Sequence, residues 1–212
     1  MENKIKELKR IYSKNKKKIK RRLKEFKSNL KKEENIICEF FFCLLTPQSK
    51  AKECWQSIEQ LKKKNLLFCG SEYRIKNCLK NVRFKNKKAK YLVEASKLFK
   101  EDNSFLKFII ENKKNPFYLR EFLVWNVKGF GYKEASHFLR NIGIGENLAI
   151  LDRHILKNLK EFNIIDEIPA TLTKKKYIEI EKKFIEFSKK IGIKPAELDL
   201  LLWAKEKGEV FK

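Results

Sequence analysis

Histidine is nearly absent from this chain: His137 and His154 are the only two among 212 residues. Its five cysteines (Cys38, Cys43, Cys54, Cys69 and Cys78) all lie early in the chain, and no two form a Cys-x-x-Cys pair. These shortages leave no ligand set at the spacings of a structural zinc or iron–sulfur site, so buried reduced thiols and no metal are expected. Long hydrophobic runs are missing too. The longest, Ile36 to Leu45, is interrupted by Glu39 and is too short to span a bilayer. The N-terminus is charged with no apolar core behind it, which gives no signal peptide. A soluble, intracellular, cytoplasmic protein is the expectation. No internal repeat and no low-complexity linker breaks the chain, whose length suits one large domain or two small ones.

Acidic residues are the other shortage, 27 against 51 Lys and Arg, for a formal net charge of +24 and a pI of ≈ 9.8. A field of that size attracts a polyanion and makes binding salt-dependent through counterion release. Nucleic acid fits best, with an anionic membrane well behind it. Residues 1–32 hold fifteen Lys or Arg against three Glu, half of the net charge. Even so, Ile5, Leu8, Tyr12, Ile19, Leu23, Phe26 and Leu30 recur at helical steps. The segment therefore reads as an amphipathic helix with a basic outer face rather than a disordered arm.

Nearly every later segment also reads as helix. Glu33 to Leu45 is strongly apolar, and Thr46-Pro47-Gln48-Ser49 interrupts it because Pro47 biases Thr46 away from helical angles. Helices follow through Trp55, Ile58 and Leu61, across Ser71 to Leu79, and through Ala89, Leu92, Val93 and Leu98 after a loop at Val82 to Asn86. Pro116 can start the next helix, which carries Leu119, Phe122, Leu123 and Val127. Three more run from Asp152 to Phe162, Lys174 to Lys190 and Pro195 to Lys207, with Gly208 placed to stop the last. The fold class is all-α.

Four of the seven glycines (Gly129, Gly131, Gly143 and Gly145) fall close together, so the special backbone is concentrated there. Gly129-Phe130-Gly131 permits a tight reversal between two helices. Backbone N–H groups of such a turn, with the helix N-terminus beyond it, form a natural phosphate site. Lys133 follows in the first helical turn, where the macrodipole and partial burial both lower an amine's pKa, as Schiff-base chemistry requires. Asp152 has two compatible readings. It can cap the helix of Ile155, Leu156 and Leu159, and it can stabilise an oxocarbenium-like transition state and help manage the lysine proton.

The constellation Gly129-Phe130-Gly131-Tyr132-Lys133-Glu134-Ala135 with Leu151-Asp152-Arg153-His154 resembles the helix-hairpin-helix DNA glycosylases related to endonuclease III. The resemblance implies that Lys133 attacks the sugar C1′, that Asp152 assists, and that the enzyme is a bifunctional glycosylase/lyase. Leu44-Leu45-Thr46-Pro47-Gln48 is similar to the segment whose Gln or Asn fills the gap left by a flipped nucleotide, which assigns that role to Gln48. Arg83-Phe84-Lys85-Asn86-Lys87-Lys88-Ala89 resembles the loop that pushes an apolar wedge into the duplex, and Phe84 is the expected wedge. The C-terminal four-cysteine cluster of endonuclease III is missing, and the chain stops soon after Trp203. Both features resemble the type 2, archaeal-type 8-oxoguanine DNA glycosylases. In that branch the positions of Trp203 and Lys212 are implicated in recognising the oxidised base: an indole offers a stacking face, and a terminal carboxylate can accept the N7–H of 8-oxoguanine.

The resemblance implies a six-helix barrel at about 33–146 holding the hairpin, and a second helical subdomain formed by 1–32 with 147–212, with the active-site cleft between them. It also implies base-excision repair of double-stranded DNA containing 8-oxoguanine, by a monomer that needs no metal or organic cofactor. Three alternatives stay open at this level: the same machinery aimed at another damaged base, a non-catalytic helix-hairpin-helix module that only grips DNA, and a general basic RNA-binding protein, which the absence of any recognisable RNA module weakens.

Overall fold

The computed structural model describes residues 2–99 and 104–212. Among them it has eleven α-helices and no strand: α1 (Glu2–Asn29), α2 (Glu33–Leu45), α3 (Ala51–Lys63), α4 (Glu72–Cys78), α5 (Lys85–Lys97), α6 (Ser104–Glu111), α7 (Pro116–Asn126), α8 (Tyr132–Asn141), α9 (Arg153–Glu161), α10 (Lys174–Ile191) and α11 (Pro195–Lys207). The boundaries follow local chemistry. Ser71, Asn115, Asp152 and Thr173 each accept a backbone N–H as N-caps, Pro116 and Pro195 open their helices, and Gly192 and Gly208 close theirs at φ +72° and +76°. α6 is a helix beyond those expected from the sequence, and it buries Phe105, Leu106 and Ile109.

Two apolar cores organise these helices. The first draws on residues between Ile36 and Leu148, with α2 at its centre, where every residue from Ile36 to Leu45 is buried. Phe40 meets Phe99, Phe105, Phe130 and Phe138 at ring separations of 5.2, 5.7, 4.7 and 5.0 Å. Such contacts add to the hydrophobic gain of burying the rings. The second core combines Leu8, Ile19 and Phe26 of α1 with residues from Ala149 to Leu202. The basic N-terminal helix is thus a structural member of the second core. Tyr12 pins it by donating to Glu197 Oε2 of α11 at 2.6 Å.

Buried ion pairs join the two cores. Arg120 of α7 makes two bonds of 2.6 and 2.8 Å to Glu181 of α10, with the guanidinium also over the Tyr132 and Tyr177 rings. Arg140 of α8 faces Asp199 of α11 at 3.5 Å. Glu39 of α2 holds the Lys212 amine and also accepts from Asn29 of α1 and Asn141 of α8. Carboxylates buried this deeply persist only with such partners. The interruption at Glu39 in an otherwise apolar helix is therefore the place where the C-terminus docks.

Candidate active site

The turn between α7 and α8 needs a glycine at one position in particular. Gly129 has φ +95°, and a Cβ there would lie 2.6 Å from the Tyr91 ring. Gly131 differs: its backbone is extended, and its N–H donates to Glu134 Oε2 at 3.2 Å, closing a capping arrangement at the start of α8. Glu134 occupies the Gly131 donor, whereas the N–H groups of Lys128 and Gly129 have no acceptor among the described residues.

Lys133 is the second residue of α8. Its side chain is 21% exposed, its Nζ donates to Thr46 Oγ1 at 3.2 Å, and Glu134 Oε1 lies 3.6 Å away. The hairpin lysine therefore reaches across to the Thr46-Pro47-Gln48 loop. Asp152 caps α9: its Oδ1 accepts from the N–H groups of His154 and Ile155, both at 2.8 Å, and Oδ2 takes no hydrogen bond among the described residues. The cap holds one oxygen and leaves the other available. Lys133 and Asp152 form no direct ion pair, but one buried group feels both. Burial pushes the Asp199 carboxyl up to about 6; Arg140 opposes that shift, the Asp152 charge adds to it, and Lys133 opposes it.

His137, one helical turn beyond Lys133, entered the sequence reading only as a possible metal ligand. It is buried, and neither ring nitrogen has a partner. Burial holds its pKa well below the usual value, and the charges of Lys133, Arg140 and Lys212 push the same way, so the ring is neutral. No metal-ligating cluster exists among the described residues.

The C-terminus is anchored. Lys212 is buried, with its amine on Glu39 and 3.1 Å from the centroid of the Trp55 ring. Its side chain is thus fully engaged by the protein. Trp203 is half-buried on α11, its ring 6.3 Å from Phe211 of the same tail. A cavity of ≈ 320 Å³ beside Lys212, lined also by Arg22, Asn29 and Trp55, includes neither Lys133 nor Asp152.

Gln48 and Phe84 share an uncommon backbone. Four non-glycine residues have positive φ among those described: Gln48 (53°), Asn65 (53°), Phe84 (59°) and Asn163 (54°). Asparagine tolerates that region; Gln and Phe have no such excuse. Both are exposed, Phe84 by 55%, and both sit where the sequence predicted contact with a distorted duplex. Two loops far apart in sequence are thus brought together, for the Arg83 N–H donates to Ser49 Oγ at 3.1 Å.

Comparison with known proteins gives these features a common context. The family model described as 8-oxoguanine DNA glycosylase matches residues 19–193. A relative from Fusobacterium nucleatum, an 8-oxoguanine DNA glycosylase/AP lyase, is 48% identical over 97% of this chain and 96% of its own length. One of the same description from Methanocaldococcus jannaschii is 43% identical over 92% and 91%. The crystal structure of the 8-oxoguanine DNA glycosylase of Thermotoga maritima superposes with a TM-score of 0.90 at 36% identity, covering 100% of both chains. That of the M. jannaschii glycosylase/lyase in complex with 15-mer DNA containing 8-oxoguanine gives 0.87 at 38% identity, over 98% of this chain and 99% of that one. With its hairpin lysine, capping aspartate and all-helical architecture, this chain belongs to the 8-oxoguanine DNA glycosylase family.

Proposed function

We propose that this chain is a bifunctional 8-oxoguanine DNA glycosylase/AP lyase in which Lys133 is the nucleophile and Asp152 the electrostatic partner. The Lys133 amine, deprotonated, forms a bond to C1′ of the damaged nucleotide. The N-glycosidic bond breaks, and the base leaves with the electron pair and takes up a proton. Opening of the sugar ring gives a Schiff base; loss of a C2′ proton then expels the 3′ phosphate by β-elimination. Asp152 stabilises the positive charge that develops on the sugar. The observation that carries this reading is a partly buried lysine in the first turn of α8, held on the Thr46 hydroxyl, together with an aspartate whose Oδ1 is fixed by its cap and whose Oδ2 is left free among the described residues.

Around that centre, Trp203 stacks on the extruded base and the Lys212 carboxylate accepts its N7–H. Gln48 fills the gap, Phe84 holds the stack open, and the Gly129–Gly131 turn binds backbone phosphate. The cleft lies between subdomains at 33–146 and at 1–32 with 147–212. The partner is double-stranded DNA containing 8-oxoguanine, bound by a monomer in the cytoplasm at the nucleoid. Among the described residues no helix is long and apolar enough to cross a membrane.

Borohydride trapping on a duplex with one 8-oxoguanine tests the chemistry. Wild type gives a covalent adduct and Lys133→Gln gives none. An adduct of wild-type yield from Lys133→Gln removes Lys133 as nucleophile. Trapping on a different lesion alone would redirect the same chemistry to that base. Residues appended after Lys212 are expected to impair 8-oxoguanine excision, and normal activity of such a protein removes the carboxylate from base recognition.

A further inference from the structure

Lys88 is the least expected lysine in the molecule. It sits in the first turn of α5, is 4% exposed, and has no carboxylate within ion-pair distance among the described residues. Its amine donates to three neutral oxygens instead: Leu45 O at 2.7 Å, Pro47 O at 2.7 Å and Ser49 Oγ at 2.9 Å. Those acceptors form the loop that carries Gln48. The Lys88 backbone belongs to the helix that Phe84 caps, and the Lys88 N–H bonds to Phe84 O at 3.0 Å. Ser49 Oγ also accepts the Arg83 N–H, so one hydroxyl is shared between the two loops.

Burying an ammonium without a counter-ion is costly, and an apolar side chain would serve stability better. Burial draws its pKa down to about 8, with the charges of Lys133 and Arg83 in the same direction and Cys54 and Glu134 against it. At neutral pH the amine is still mainly protonated and has its three donors, one for each oxygen. An ammonium suits this task because its three N–H bonds diverge from one atom. The two loops it joins carry the exposed left-handed residues Gln48 and Phe84.

We propose that Lys88 is a positioning residue for duplex opening, a strut that locks the Gln48 loop to the Phe84 loop so that both enter the DNA as one rigid unit. The proposal rests on the reading of Gln48 and Phe84 as the residues that occupy the opened stack. Without the strut each loop keeps its side chain but loses its registration with the other, so insertion becomes two separate ordering events.

The test uses full-length Lys133→Gln protein, which cannot complete the chemistry, and a duplex with 2-aminopurine next to 8-oxoguanine as an unstacking probe. Binding raises the fluorescence, and adding Gln48→Ala or Phe84→Ala lowers that rise. Adding Lys88→Met lowers that rise as well, by up to about tenfold, the size expected for loss of a coupled pair of contacts. Ser49→Ala, a milder cut in the same network, acts in the same direction. Combining Phe84→Ala with Lys88→Met is no worse than the poorer single variant. In protein that keeps Lys133, Lys88→Met still traps a single-stranded abasic oligonucleotide, which needs no wedge; loss of that trapping marks a structural role and overturns the proposal. Full fluorescence from Lys88→Met and Ser49→Ala, while Gln48→Ala and Phe84→Ala are impaired, refutes the strut and leaves the reading of the two loops standing. Strictly additive effects also refute it. Full fluorescence from Gln48→Ala and Phe84→Ala refutes that reading itself, and the strut with it.

Discussion

Phe84 offers a direct test of whether the loop stores strain for use on DNA. Its φ of 59° lies in the left-handed region, where an L side chain costs roughly 1–2 kcal/mol relative to glycine. The ring is 55% exposed, so the protein recovers less than half of what full burial of a phenylalanine would contribute. Replacing Phe84 by Gly removes the ring and the strain together; replacing it by Ala removes the ring and keeps the strain. The comparison of the two variants isolates the backbone term. After allowance for the greater freedom of glycine in the unfolded chain, Phe84→Gly is expected to be more stable than Phe84→Ala by about 1 kcal/mol. For a chain of this length that is about 2–4 °C in Tm. Excision of 8-oxoguanine from a duplex falls to the same extent in both, because neither has a wedge. Calorimetry and a single-turnover excision assay read the two effects separately. Equal melting temperatures, or a more stable alanine variant, would refute the strained loop; wild-type excision by either variant would refute the wedge.

Asp152→Asn keeps a good cap on α9 and is expected to leave Tm and DNA affinity nearly intact while slowing excision, whereas Asp152→Ala also costs about 1 kcal/mol of stability in urea unfolding. An unchanged excision rate in the asparagine variant removes the role assigned to this carboxylate. Glu181→Leu strands the buried Arg120 guanidinium and is expected to cost about 3–5 kcal/mol, while Arg120→Met combined with Glu181→Leu costs much less. Equal losses would mean that the pair supplies net stability. Asp199 gives a pH signature. Its carboxyl is raised from 3.8 to about 6, so the folded state holds a proton there that the unfolded chain has lost between those values. That contribution to stability is present at pH 4, falls as pH rises to 6, and is flat above; it amounts to about 3 kcal/mol. Urea unfolding from pH 4 to 7 should show this slope in wild type but not in Asp199→Asn, and parallel curves would contradict the assignment.

What was legible in the sequence was whatever has a local signal. Gly129 before a helix start, Asp152 ahead of an apolar periodic run, Pro116 and Pro195 at first turns and Gly208 past a last turn are all short-range chemistry, and each marks an observed boundary. The eight-residue α6 had such a mark too, the N-cap residue types Asp102, Asn103 and Ser104 ahead of Phe105 and Leu106, but its apolar run is short. The partners of the buried charges were not legible either, because Arg120 and Glu181 are 61 residues apart and Glu39 and Lys212 are 173 apart. Glu39 stood out as a flaw in an apolar helix, but nothing local said that the last residue of the chain would answer it. Lys88 was invisible for the opposite reason. Among 51 Lys and Arg it had no distinguishing neighbour, and only its burial against three oxygens sets it apart.

The distribution of charge separates two tasks that the net charge alone would merge. The exposed lysines of α1 and the outer faces provide a long-range, salt-sensitive attraction to DNA. The buried charges work at short range and on the protein itself. Arg120, Arg140 and Lys212 fasten the first core to elements of the second, Lys88 bonds from the helix that Phe84 caps to the loop of Gln48, and Lys133 touches the Thr46 hydroxyl. Raising salt should therefore weaken DNA binding while leaving the rate of the chemical step in the bound complex almost unchanged, because buried pairs are screened far less than exposed ones.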